Sequence, residues 1–222
     1  MNVRGLLFDF DGLLVDTEGP AFRSWQEIYV EHGVELALEE WVANVGTIGS
    51  PFDPVARLES LTGREVDRRI VVDRRLAREL ELSALEELRD GVAEYLEAAE
   101  ELGLPAAIVS SASERWVRSH IGRLSIEHVW ATVVCADGDA GRAKPAPTLY
   151  LEALDLLEIS AAEAVTFEDS LNGVRAAKAA GIYTVAVPNP VTAGLALHEA
   201  DLVVESLAHL PLRELLALLE LR

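Results

Sequence analysis

Leu6-Leu7-Phe8-Asp9-Phe10-Asp11-Gly12-Leu13-Leu14-Val15-Asp16-Thr17 decides the fold, because an apolar run ends there abruptly in two carboxylates one residue apart, followed by a glycine. A short apolar run bounded by a turn signal reads as a strand buried in a parallel sheet, here expected over residues 3–9. In open parallel sheets the chemistry gathers just beyond the carboxyl ends of the strands. Side chains at i and i+2 lie on one side of a strand, so Asp9 and Asp11 can face a single crevice. Two carboxylates so close raise each other's pKa unless a cation neutralises them. A hard divalent cation such as magnesium takes carboxylate oxygens. A solvated turn after a strand would account for a bare Asp-x-Asp, but the longer string through Asp16-Thr17 is far more specific.

Outward from that stretch, two patterns divide the chain. From Arg89 onward helix and strand alternate. Strands are expected over Ala106–Ser110, Thr132–Cys135, Ala164–Phe167, Ile182–Val187 and Leu202–Val204. Between them, helices are expected over Val92–Leu102, Glu114–Gly122, Thr148–Leu157, Leu171–Ala180 and Pro211–Leu219. This alternation implies an α/β fold with a doubly wound parallel sheet. From Thr17 to Leu85 the reading is helical throughout, over Ala21–Glu31, Leu38–Val45, Pro54–Leu61 and Val66–Glu81, with breaks at glycine-bearing segments. The expected organisation is therefore a core of residues 1–16 and 86–222, and a helical insertion of residues 17–85 standing over the carboxyl end of the sheet.

Composition narrows the function. The net charge of −19 over 222 residues argues against nucleic acid or an anionic membrane as partner. No apolar run approaches the ~20 residues that span a bilayer, and no charged leader precedes the first strand. Cys135 is the single cysteine, which rules out an internal disulfide and any cysteine metal cluster. A cytoplasmic enzyme is expected, and composition leaves the oligomeric state open. Of the 19 basic residues only Lys144 and Lys178 are lysines, so each lysine raises a question. The arginines at 64, 68, 69, 74, 75 and 78 read mostly as a solvated helical face, paired at i,i+4 with Asp67, Asp73 and Glu79.

Three more strand ends bring polar groups to the same rim. Ser110-Ser111-Ala112-Ser113 precedes a helix, where hydroxyls and free backbone N–H groups suit a phosphate, although that string taken alone reads better as ordinary capping by Ser113 with Glu114 in the first turn. Lys144 sits in Gly141-Arg142-Ala143-Lys144-Pro145-Ala146-Pro147, where two prolines stiffen the backbone and a lysine can act as a point charge. The acidic pair Glu168-Asp169 ends the fourth strand, where Asp169 or Ser170 can also cap the next helix.

In order and position these four signals resemble the motifs of the haloacid dehalogenase-like superfamily, in the branch of β-phosphoglucomutase and phosphoglycolate phosphatase-like enzymes. The resemblance covers the whole chain and identifies the insertion with that superfamily's helical cap. It implies a magnesium-dependent phosphatase acting on a small phosphorylated metabolite through an aspartyl-phosphate. Asp9 would be the nucleophile and Asp11 the acid and base. Magnesium would be held by Asp9, the backbone carbonyl of Asp11 and Asp169, with Glu168 assisting. Ser111, rather than Ser110, and Lys144 would hold the phosphate oxygens, with backbone N–H groups near Phe10, Asp11 and Ala112. Arg74 and Arg75 are the cap's candidates for contact with substrate. Asp11 disfavours dehalogenation, and a cap without lysine excludes Schiff-base chemistry. A β-phosphoglucomutase is the main alternative, and a silent binding protein on the same fold the lesser one. The mutases carry a cap-hinge histidine, where this chain has Ala21. They also carry a cap arginine, where Val45–Pro51 offers no cation.

Overall fold

A computed structural model describes residues 1–42, 45–46 and 52–221. Its centre is a six-stranded parallel sheet of β1 (Gly5–Phe8), β2 (Ala106–Ser110), β3 (Trp130–Cys135), β4 (Ala164–Glu168), β5 (Tyr183–Ala186) and β6 (Leu202–Val203), in the order β3-β2-β1-β4-β5-β6. Every residue of β1, β2 and β4 is buried, as near-continuous apolar runs require in a sheet covered on both faces. The period of two sorts the β1 side chains. Leu6 and Phe8 join the core under α5 (Val92–Leu102), α6 (Glu114–Arg123) and α9 (Leu212–Glu220). Leu7 joins the opposite core under α7 (Thr148–Leu157) and α8 (Leu171–Ala179).

Residues 17–85 supply α1 (Glu18–Glu31), α2 (Leu38–Trp41), α3 (Pro54–Thr62) and α4 (Arg68–Ser83). These helices bury their own cluster, with Trp25, Ile28, Tyr29, Leu58 and Val71 at its centre, and Val191 from beyond β5 joins it. The chain leaves and re-enters the sheet side by side. Val15 bridges Leu88, and Arg89 N donates to Leu14 O at 2.9 Å.

Local chemistry explains most element ends. Asp53 accepts from Val55 N and Ala56 N, Pro54 opens α3, and Gly63 closes it at φ 65°. Ser113 and Ser170 cap α6 and α8, which leaves Asp169 free of that duty. Some expectations change. The first strand spans Gly5–Phe8 rather than residues 3–9. The helix expected to run to Val45 is assigned only over Leu38–Trp41, and residues 43 and 44 lie outside the described residues. Asp67, expected as an ion-pair partner, instead caps α4 by accepting from Arg69 N and Ile70 N, so that helix starts at Arg68 rather than Val66. Arg69–Asp73 and Arg75–Glu79 do pair at i,i+4, while Arg74 and Arg78 reach across to Glu31 and Glu27 of α1. Among the described residues no helix is long and apolar enough to cross a membrane.

Candidate active site

The four rim segments converge where the strand order turns back across β1 and β4, the place where open α/β sheets form a binding crevice. Asp9 follows β1 and is buried. The ammonium of Lys144 is almost wholly buried and lies between Asp9 Oδ1 and Glu168 Oε1, 2.6 Å from the latter. Glu168 Oε1 also accepts from the Tyr150 hydroxyl. Burial opposes the charge on Lys144, but Asp9 and Glu168 carry its pKa well above the ordinary lysine value. Burial pushes Asp9 up to about 8. Lys144 works against that rise, while Glu168 and Asp11 add to it. Asp169 is raised well above the carboxylate range by burial, Asp9, Glu18 and Glu168. Three buried carboxylates share one ammonium, and positive charge is what the cluster lacks.

That deficit bears on a metal. Asp9, Glu168 and Asp169 each offer a carboxylate oxygen within 4.8 Å of the other two. Asp169 Oδ1 is buried without a hydrogen-bond partner, a costly state for a carboxylate oxygen unless a cation meets it. An all-oxygen donor set of this kind fits magnesium. Glu168 offers one oxygen in the same way, because its Oε1 is taken by Lys144 and Tyr150 while Oε2, also buried without a hydrogen-bond partner, lies against Gly173.

Asp11 differs from its neighbours. It is only partly buried and faces the cavity described below. Its Oδ1 accepts from Thr17 Oγ1 at 2.8 Å and Trp116 Nε1 at 2.7 Å, and its Oδ2 from Ser110 Oγ at 3.3 Å. Ser111 Oγ accepts from Lys144 N at 3.1 Å and donates to Gly46 O at 3.4 Å. Both serines therefore reach the site, Ser110 beside Asp11 and Ser111 beside Lys144. The Phe10 side chain is in the core, and Ala112 N donates to Ser110 Oγ at 3.0 Å.

The cap reaches the same rim. Asn172 Nδ2 donates to Val45 O at 3.0 Å. Between cap and core lies a cavity of about 510 Å³ lined in part by Asp11, Glu18, Trp41, Arg75, Glu79 and Trp116. Arg75 reaches it, but the structure does not bring Arg74 there. Arg74 pairs with Glu31 in a separate surface depression, because consecutive helix residues sit ~100° apart. The segment Thr47–Pro51, expected to lack a cation, lies outside the described residues.

Several residues that sequence reasoning missed hold this arrangement. Asn189 Nδ2 donates to Asp169 Oδ2 at 2.6 Å and to Gly12 O at 3.2 Å, while its Oδ1 accepts from Val191 N and Thr192 N. Arg89 ties Gly12 O to Pro188 O. An asparagine between two prolines beyond a strand was the only signal available for Asn189. Gly173 is the tightest point, because a Cβ there would run into the Glu168 carboxylate. Gly173→Ala is expected to cost about 1–3 kcal/mol and to lower kcat/KM at least tenfold by displacing Glu168 from Lys144. Thermal melts and steady-state kinetics check this, and an unchanged kcat/KM would show that Glu168 does not position Lys144.

The haloacid dehalogenase-like hydrolase profile matches residues 6–187. YhcW of Bacillus subtilis strain 168, named as a candidate phosphatase, is 39% identical over 214 residues, 96% of each chain. The validoxylamine A 7'-phosphate phosphatase of Streptomyces hygroscopicus subsp. limoneus is 28% identical, covering 90% of this chain and 92% of that protein. Among solved structures, a HAD family hydrolase of Deinococcus radiodurans R1 with bound phosphate and sodium superposes with a TM-score of 0.80 at 28% identity. That match covers 99% of this chain and 97% of the other.

Proposed function

From the premise that this chain belongs to the haloacid dehalogenase-like hydrolase family, we propose that it is a magnesium-dependent phosphatase. It hydrolyses a small phosphomonoester in the cytoplasm through an aspartyl-phosphate. One observation carries the reading. Asp9 and Lys144 form a buried pair at the end of β1, while Asp11, two residues on, faces the cavity.

In this reading residues 1–16 and 86–222 are the catalytic core and residues 17–85 the cap. A carboxylate oxygen of Asp9 attacks phosphorus in line as the bond to the leaving oxygen breaks. Asp11 gives that oxygen a proton, then takes one from the water that cleaves the acyl phosphate and regenerates Asp9. Lys144 and Ser111 hold the non-bridging oxygens where charge gathers. Asp9, the backbone carbonyl of Asp11 and Asp169 would hold magnesium, which would neutralise the repulsion between Asp9 and the phosphate. Thr17 and Trp116 fix Asp11 before substrate arrives.

Turnover of p-nitrophenyl phosphate is expected to require magnesium and to stop with excess EDTA. Full activity in EDTA would refute the metal. The mutase is the weaker reading, since Ala21 lines the cavity where the mutases carry a histidine. With β-glucose 1-phosphate, magnesium and a trace of the 1,6-bisphosphate, phosphate is expected to appear faster than glucose 6-phosphate. The reverse order would choose the mutase.

A further inference from the structure

Metal-binding carboxylates are aimed by the groups that hydrogen-bond to them from behind. Behind Asp169 stands the loop that leaves β5, Val187-Pro188-Asn189-Pro190-Val191-Thr192. Asn189 is 2% exposed, and its amide is used to capacity. Nδ2 donates to Asp169 Oδ2 at 2.6 Å and to Gly12 O at 3.2 Å. Oδ1 accepts from Val191 N at 2.8 Å and Thr192 N at 3.0 Å. A side-chain amide has two N–H donors and two acceptor lone pairs, so all four are taken. The same partners fix its orientation. Turned over, Oδ1 would meet a carboxylate oxygen and a carbonyl, and Nδ2 would meet two N–H groups.

The loop is itself held. Asn189 N donates to Thr192 Oγ1 at 2.9 Å, and Thr192 N and Ala193 N donate to Asn189 O at 3.0 Å and 2.8 Å. Arg89 donates to Pro188 O at 2.8 Å and also to Gly12 O. Val191 is buried in the apolar cluster of the cap. Gly12, at φ 78°, has no room for a Cβ, which would run into Asp169 Oδ2 and Asn189 Nδ2.

What the amide holds is one oxygen of a carboxylate in the acidic cluster. Asp169 is buried, and among the described residues one hydrogen bond reaches its carboxylate, from Asn189. Its Oδ1 is buried without a partner, in a residue grouped with Asp9 and Glu168. Ser170, not Asp169, caps α8, so helix capping does not account for the way Asp169 is held.

We propose that Asn189 is a positioning residue for the metal. By fixing Asp169 Oδ2 it keeps Oδ1 for the ion, and it sets magnesium affinity without touching ion or substrate. The proposal rests on the metal site of the phosphatase reading and adds a residue that the reading does not use. A carboxylate ordered in advance loses less freedom when its ligand arrives.

Asn189→Ala would also delete the turn, so Asn189→Ser is the test variant. Its hydroxyl can still accept from Val191 N and Thr192 N but ends short of Asp169. Magnesium is titrated by calorimetry into the EDTA-stripped proteins, without substrate. The dissociation constant is expected to rise about 10–100-fold in Asn189→Ser. With p-nitrophenyl phosphate, the magnesium concentration giving half the maximal rate should rise with it. At saturating magnesium kcat should return to within about fivefold of the wild type, with KM for the ester unchanged. Thr192→Val is the control, since it breaks the bond from Asn189 N and leaves the amide in place. It should lower the melting temperature and leave the magnesium affinity as it is. An unchanged dissociation constant in Asn189→Ser, or an equal weakening in Thr192→Val, overturns the role of Asn189 and leaves the phosphatase reading intact. A wild type that binds no magnesium and turns over fully in EDTA overturns the metal and the inference together.

Discussion

Asp9→Asn is expected to keep the fold and to lose about 10⁴-fold or more in kcat, the scale at which removal of a nucleophile is felt. An amide is a poor nucleophile and a weaker ligand for a hard cation than a carboxylate. The fold should survive because the substitution is isosteric and relieves a cluster short of positive charge. Phosphate release with the metal-loaded variant, beside a circular dichroism melt, measures both halves. Turnover near that of the wild type would end the aspartyl-phosphate mechanism. Asp11→Asn should be impaired differently. It loses the proton transfer but keeps Asp9, so phosphorylated enzyme should accumulate from an ester with a good leaving group, detectable by intact-mass spectrometry.

Lys144→Met should lose on two accounts. Its ammonium is 1% exposed and is shared by Asp9 and Glu168. Removing one partner of a buried ion pair costs about 3–5 kcal/mol because the remaining charges are uncompensated. Loss of a charged contact to the phosphoryl oxygens should lower kcat by about 10²–10³. Lys178→Met is the control, since Lys178 pairs with Asp201 at the surface with its side chain 36% exposed, and such pairs are worth about 0–1 kcal/mol. Urea titrations and kcat for both variants decide it. Equal stability losses at the two lysines would contradict the buried position of Lys144.

The sequence by itself determined what depends on neighbours in the chain. Strand and helix periods, capping residues and glycine stops are local, so Val92–Leu102, Ala106–Ser110 and Thr148–Leu157 are legible residue for residue. Each acidic or hydroxyl group ends a strand of one parallel sheet. That topology alone carries Asp9, Ser111, Lys144 and Asp169 to one rim, however far apart they lie in the chain.

Tertiary structure decided which way side chains turn once they arrive. Arg74 and Arg75 are equivalent in sequence, yet the packing of α4 on α1 sends one to Glu31 and the other to the cavity. Glu168 and Asp169 are adjacent acids. Only the fold folds one oxygen of the first under Lys144 and Tyr150 and one oxygen of the second against Asn189, and leaves the other oxygen of each buried and unpartnered. Asn189 reaches Gly12 across 177 residues, and the Trp116 indole reaches Asp11 across 105. No local propensity encodes such a contact. It exists because close packing of two layers against the sheet leaves each polar group few places to find a partner, and a buried polar group must find one.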